Sequence, residues 1–231
     1  VVSLTVILKR RSIVLKKSDF KPCRAVMGKI LGIGIPIAFQ DGLIQVAFII
    51  ITIIANQRGL NDSAAVGIVE KVISFLFLVP SSMLSTVSAL GAQNIGAGKP
   101  ERAIQTLRYA VMLAAGFGVI ASIAIQFTAE GIVSLFTDPS TADGAAVVRF
   151  GGQYLRGYIF DCIFAGIHFS FSGFFCACRK SGLSFLHNIF AIVLMRVPGV
   201  YVTSKLFPAT LLPMGLATAA GSLLSVVICL I

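Results

Sequence analysis

Two aspartates stand inside long apolar stretches. Asp41 lies in GIPIAFQDGLIQVAFIIITII (residues 34–54) and Asp161 in FGGQYLRGYIFDCIFAGIHFSF (residues 150–171). A carboxylate in hydrocarbon costs at least ~3 kcal/mol, and chains that keep one use it for an ion pathway, a proton relay or a substrate site. The chemistry expected is reversible binding of a proton or a small cation. Neighbours at helical spacing extend each position. Gln45 and Thr52 share the face of Asp41; Tyr154, Tyr158, Asp161, His168 and Ser172 form a second face; Glu70, Ser74, Ser81, Ser85 and Ser88 form a third. Three polar faces turned away from lipid are expected to line one water-filled cavity. Arg196 stands in another apolar stretch and needs a partner. Asp161 therefore reads in two ways, as half of a structural ion pair with Arg196 or as a cation site. His168 reads as a hydrogen-bonded interior residue or a proton relay, and Tyr158 as a donor to Asp161 or a stacking surface for a cationic substrate.

The elements that must position these groups are membrane helices. The 231 residues are 57% hydrophobic and only 12% charged, with mean hydropathy +0.95, where soluble domains carry about 25% charged residues. The class is all-α integral membrane. Apolar windows of spanning length, about 20 residues, occur at about 30–55, 66–90, 104–127, 147–176, 183–204 and 208–231. Asp41 and Asp161 each lie about eleven residues from a helix start, which at ~1.5 Å per residue places both near the middle of a hydrocarbon core ~30 Å thick. Pro36, Pro80, Pro198 and Pro213 interrupt four windows and are expected to kink them, as packing accommodations or as hinges.

Net charge is +10, with eight of nineteen Lys and Arg between residues 9 and 29. Beside a span this reads as a cytoplasmic loop under the positive-inside rule, not as a nucleic-acid arm. Thirteen Lys and Arg fall in 9–29, 99–108 and 179–180, so the six spans alternate consistently from a cytoplasmic 9–29. VVSLTVIL, running into KRR, reads as the close of a preceding helix, so residues 1–8 are expected to end one. The five cysteines lack disulfide or metal-site spacing and read as reduced packing residues. The break GAQNIGAGKPERA is glycine-rich, but Pro100 follows Lys99 where a phosphate loop needs Ser or Thr, so a tight turn is expected.

The stretches SALGAQNIGAGKPERA (88–103) and GIPIAFQDGL (34–43), with six spans, a long loop after the third and an acidic fourth, resemble the multidrug and toxic-compound extrusion (MATE) transporters. The resemblance implies that residues 30–231 are the C-terminal six-helix lobe of a twelve-helix, non-enzymatic transporter. Its partners would be an N-terminal lobe, the bilayer, and small organic, often cationic, substrates exchanged for H⁺ or Na⁺ by alternating access. It implies coupling-ion sites at Asp41 and Asp161, with no other metal or cofactor, and a plasma-membrane location. Gln45, Thr52, Tyr154, Tyr158, His168 and Arg196 would line the cavity. Many members carry glutamate on the first helix of this lobe, where this chain reads Gln40-Asp41. Two alternatives remain. One is a lipid-linked oligosaccharide flippase of the same superfamily, whose cavity should be more basic. The other, remote, is an intramembrane aspartyl protease, although neither aspartate carries that family's Tyr-Asp or Gly-x-Gly-Asp signature.

Overall fold

The computed structural model describes Lys21 and residues 23–231. Residues 1–8 and most of the basic segment 9–29 lie outside the described residues. The first span is α1, Arg24–Asn56. It begins six residues before the expected window because Arg24-Ala25-Val26-Met27 favours helix and has no breaker. At 33 residues it is longer than the hydrocarbon needs, about 20 residues.

The second span runs from residue 60 to 96 in two pieces, α2 (Leu60–Leu76) and α3 (Leu78–Gly96), joined at Phe77. Pro80 has no N–H for the carbonyl of Leu76, which is where the first piece stops. The third is α4, Pro100–Ser134. The fourth is α5 (Ala142–Tyr158) followed by α6 (Asp161–Ala177), bent by 40° at Ile159-Phe160. The fifth is α7 (Ser181–Ala191), a π-helical turn (Ile192–Arg196) and α8 (Val197–Leu206). The sixth is α9, Leu212–Leu230. Among the described residues five helices are long and apolar enough to cross a membrane, and the bent α5–α6 pair makes a sixth. Two prolines do not interrupt their spans: Pro36 lies inside the continuous α1, and Pro213 lies in the first turn of α9, where a missing N–H removes no helical bond.

The glycine-rich break is a helix stop. Gly98 takes φ +71°, its N–H bonds Ile95 O, and Lys99 N–H bonds Asn94 O. These are the two bonds of a Schellman motif. They use the amides a phosphate loop would present, and Pro100 then opens α4. At the loop before α5, Asp138 Oδ1 accepts from Ser140 N–H and Oγ–H, and Thr141 caps α5 through Gly144 N–H.

The fourth span is central. α6 packs on α3, α4 and α9; α5 packs on α2, α4 and α9; α1 lies outside, against α7, α2 and α8. With no hydrophobic drive between helices in lipid, close backbone approach does much of this packing. At Gly157 an added Cβ would lie 2.5 Å from Leu212 O, so α5 and α9 touch backbone to backbone. All five cysteines are free thiols.

Arg58, expected only as a loop charge, ties the ends of three spans together. Its Nε donates to Asp62 Oδ2 at 2.6 Å, Nη1 to the carbonyls of Ser204 and Phe207, and Nη2 to those of Pro208 and Thr210. All five guanidinium donors are used, and the carbonyls are those of the α8 C-terminus and the loop to α9. Lysine has three donors and no planar fork. Arg58→Lys is expected to cost about 2–3 kcal/mol through the carbonyls it strands, read as a lower thermal midpoint in detergent. An unchanged midpoint would show that the clamp is not structural.

Candidate functional site

Asp161 is the first residue of α6, immediately after the bend, where the helix's positive end favours a carboxylate. It is wholly buried. Its Oδ2 accepts from Arg196 Nη2 at 3.0 Å, and the same nitrogen donates to Tyr158 Oη at 2.7 Å. The Arg196 guanidinium lies 5.4 Å from the centre of the Phe48 ring and 5.7 Å from that of Tyr158. The ion pair between Asp161 and Arg196 is formed. A buried pair of this kind is a poor source of stability but an expensive thing to break.

The fifth span is shaped to deliver Arg196. Pro198 withholds a donor from the carbonyl of Leu194, and the helix widens into the π turn that ends at Arg196. Such turns recur at functional sites. Opposite, Gly221 of α9 leaves space for the side chain: a Cβ there would lie 2.7 Å from Arg196 Cβ. Gly221→Val is expected to push Arg196 off Asp161 and cost about 1–3 kcal/mol by overpacking. The check is thermal unfolding of Gly221→Val beside Gly221→Ala, which should be milder.

Asp41 is elsewhere. It is exposed on α1 and lines an open groove of ≈ 310 Å³ with Gln45, Ser74, Ser81 and an apolar wall of Ile44, Phe48, Phe77 and Phe169. A second opening, of ≈ 360 Å³, shares Gln45, Phe48 and Ser74 and adds Glu70 and Lys71. Sharing these residues, the two make a groove of mixed polar and apolar lining along α1 and α2, joined by Ser81 of α3 and Phe169 of α6. Thr52, predicted to face the cavity, has its hydroxyl 2.9 Å from the Phe48 carbonyl and 3.3 and 3.4 Å from the two oxygens of Glu70, any one of which its single hydrogen can serve. Asp41 and Asp161 thus occupy different compartments, and no hydrogen bond joins them among the described residues.

The remaining predicted side chains fall around Asp161. Tyr154 stacks edge-on against Tyr158 at 5.5 Å, both fully buried. His168 sits 5.7 Å from the ring of His187. His187 escaped the sequence reading. So did the weight of Glu70, which stood only in a serine-rich stripe. Asn188 and Ser184 at helical spacing were a signal for His187: SxxHN (184–188) is a polar face in an apolar span. Among the described residues no group of three or more His, Cys, Asp or Glu is placed to hold a metal.

The bent fourth span carries a buried acid beside an open groove, and comparison with known proteins decides the family. The model described as MatE matches residues 36–202, more than half of the chain. The chain belongs to the MatE family. It is 27% identical over 225 residues to an FAD transporter of Shewanella oneidensis, covering 91% of this chain and 48% of that protein. It is 31% identical over 107 residues to the Bacillus subtilis protein named "Probable multidrug resistance protein YoeA", covering 46% of this chain and 23% of that one. The crystal structure of a MATE protein in complex with MaL6 superposes with TM-score 0.87 at 17% identity, covering 97% of this chain and 51% of that chain. This MatE chain spans about half the length of the relatives it matches over its whole extent, and its fold is one six-span MATE lobe. MatE proteins are multi-pass membrane transporters rather than enzymes, so the aspartyl-protease reading falls.

Proposed function

We propose that this chain forms the C-terminal half of a secondary active exporter that exchanges H⁺ or Na⁺ for small organic, often cationic, compounds. The observation that carries this reading is the separation of two carboxylates: Asp41 opens on a solute-sized polar groove, while Asp161 is buried against Arg196. Asp41, with Glu70 beside it in the groove, supplies negative charge for a cation. Protonation of Asp161 would dissolve the ion pair and free Arg196. The bend that begins α6 and the π turn that ends at Arg196 are then the elements biased by the proton, as alternating access requires. The N-terminal lobe of the same protein would supply the opposite wall of the groove. The host would be the plasma membrane, with residues 9–29 on the cytoplasmic side.

The lipid-linked flippase fits less well, because Arg156 is already paired with Glu130 at 3.0 Å and Arg196 with Asp161. A flavin dinucleotide is the second reading, favoured by the FAD transporter that aligns along 91% of the chain. Its phosphates would meet the carboxylates of Asp41 and Glu70, with Lys71 the groove's cation. The intact twelve-helix protein in liposomes tests these readings. Under a proton or a sodium gradient, movement of a fluorescent cationic dye is expected. Movement of FAD without the dye would establish the second reading, and movement of neither in folded protein would point to a lipid-linked substrate.

A further inference from the structure

Behind the groove lies a second, smaller chamber of ≈ 50 Å³. Its polar wall is Arg196, His168, Asn188, Ser222 and Ser225, and it shares only Ile44, Phe48, Phe77 and Phe169 with the Asp41 groove. The lining common to the two openings is therefore four apolar side chains. Two atoms of the chamber's lining residues are buried without a hydrogen-bond partner, Arg196 Nε and His168 Nδ1, and Asp161 Oδ1, behind Arg196, is a third. Their residues are only 8%, 4% and 0% exposed. Orphaned polar atoms at this depth are satisfied by internal water. A water needs about 10–15 Å³ of such volume, so the chamber has room for about three. The charges select the occupant. A metal cation would face the Arg196 guanidinium, an anion would face Asp161 behind it, and an organic solute is too large.

The hydrogen bonds continue past the chamber. Ser225 Oγ, on its wall, lies 2.6 Å from His187 Nδ1, and His187 Nε2 lies 3.0 Å from Ser172 Oγ. His187 is thus held at both nitrogens. Neutral imidazole carries one N–H, so a proton accepted at one nitrogen and released from the other converts one tautomer into the other. The titratable and charged groups around these histidines and the Asp161–Arg196 pair are Asp161, Tyr154, Tyr158 and His168 from the fourth span, Arg196 from the fifth and Glu70 from the second; α9 contributes only serines to the chamber's polar wall.

We propose that the chamber is a hydrated proton-transfer site in which a few water molecules join the Asp161–Tyr158–Arg196 cluster to His168 and His187. As a route for coupling it rests on the proposed proton exchange, but its hydration and tautomer exchange are read without any transport. The test is ¹⁵N-histidine magnetic resonance of the full protein in lipid nanodiscs, the two rings assigned with His168→Gln and His187→Gln. Water magnetisation is expected to reach both rings within milliseconds, and the His187 nitrogens to show shifts averaged between tautomers. Ala191→Leu, which fills the chamber wall, should slow transfer at least tenfold; Ser222→Val serves if that variant does not fold. Rings dark to water, or transfer untouched by filling, would overturn the site. A hydrated His187 fixed in one tautomer would overturn the relay. Ring shifts that follow added Na⁺ would replace water by a metal ion and overturn the assignment as well.

Discussion

Asp161→Asn is expected to unfold much of this lobe's margin as well as to stop coupled transport. The substitution leaves Arg196 charged, buried and facing Tyr158 with no counter-ion. Removing one partner of a buried pair costs about 3–5 kcal/mol, because the other charge remains where water cannot reach it. Asp161→Asn should therefore lower the thermal midpoint sharply and abolish gradient-driven efflux together. The two effects separate in a second variant. Asp161→Asn with Arg196→Met removes both charges, and replacing a buried pair with apolar groups of similar volume is often neutral or stabilising. Stability should return and coupled efflux should not. If efflux returned with stability, Asp161 would be a structural residue only and the coupling assignment would fail.

The second large effect is expected at Asp41, with the opposite signature. Its carboxylate is exposed on the groove and makes no ion pair among the described residues, so neutralising it strands nothing. Asp41→Asn should leave the midpoint within about 0.5 kcal/mol of the parent, the range for surface substitutions away from packed features. Efflux of a cationic dye should fall at least tenfold, since a lost interaction with a charged group amounts to about 1.5–3 kcal/mol. Asp41→Glu should recover part of it. Asp41→Asn that transported normally would remove the groove carboxylate from the mechanism and shift the cationic site to Glu70. Measuring Glu70→Gln in parallel reads that outcome directly, since the amide oxygen can still accept from Thr52 while the negative charge is removed.

The difference between the two aspartates was not legible in the residues. Both sit in apolar stretches, and both have polar neighbours at helical spacing. Periodicity assigns residues to a face of their own helix and leaves open what that face meets. The clearest case is the stripe from Tyr154 to Ser172. It reads as one continuous face, yet the helix bends by 40° at Ile159-Phe160, with no proline there to announce it. Pro80 and Pro198, by contrast, stand beside the breaks they cause, at Phe77 and at the π turn. Arg58 looked like a loop charge because its partners are backbone carbonyls about 150 positions away, and carbonyls leave no trace in sequence.

What the sequence by itself determined is the medium and the local punctuation. A chain with 57% hydrophobic and 12% charged residues in unbroken apolar runs of spanning length reads as membrane helices, because lipid satisfies no backbone group, each helix does so internally, and a barrel strand would alternate. Gly98, Lys99 and Pro100 determine a helix stop and a restart through bonds that close within six residues. The resemblance carried by that turn led to the right family. Tertiary structure alone decided which acid is paired and which is free, because burial and charge pairing are set by helices from distant parts of the chain. Arg196 reaches Asp161 across 35 positions by way of a widened turn and a glycine on a third helix. The same packing placed Ile44, Phe48, Phe77 and Phe169 where groove and chamber meet. Buried polar groups answer to whatever packs against them, and that is settled only when all six spans are in place.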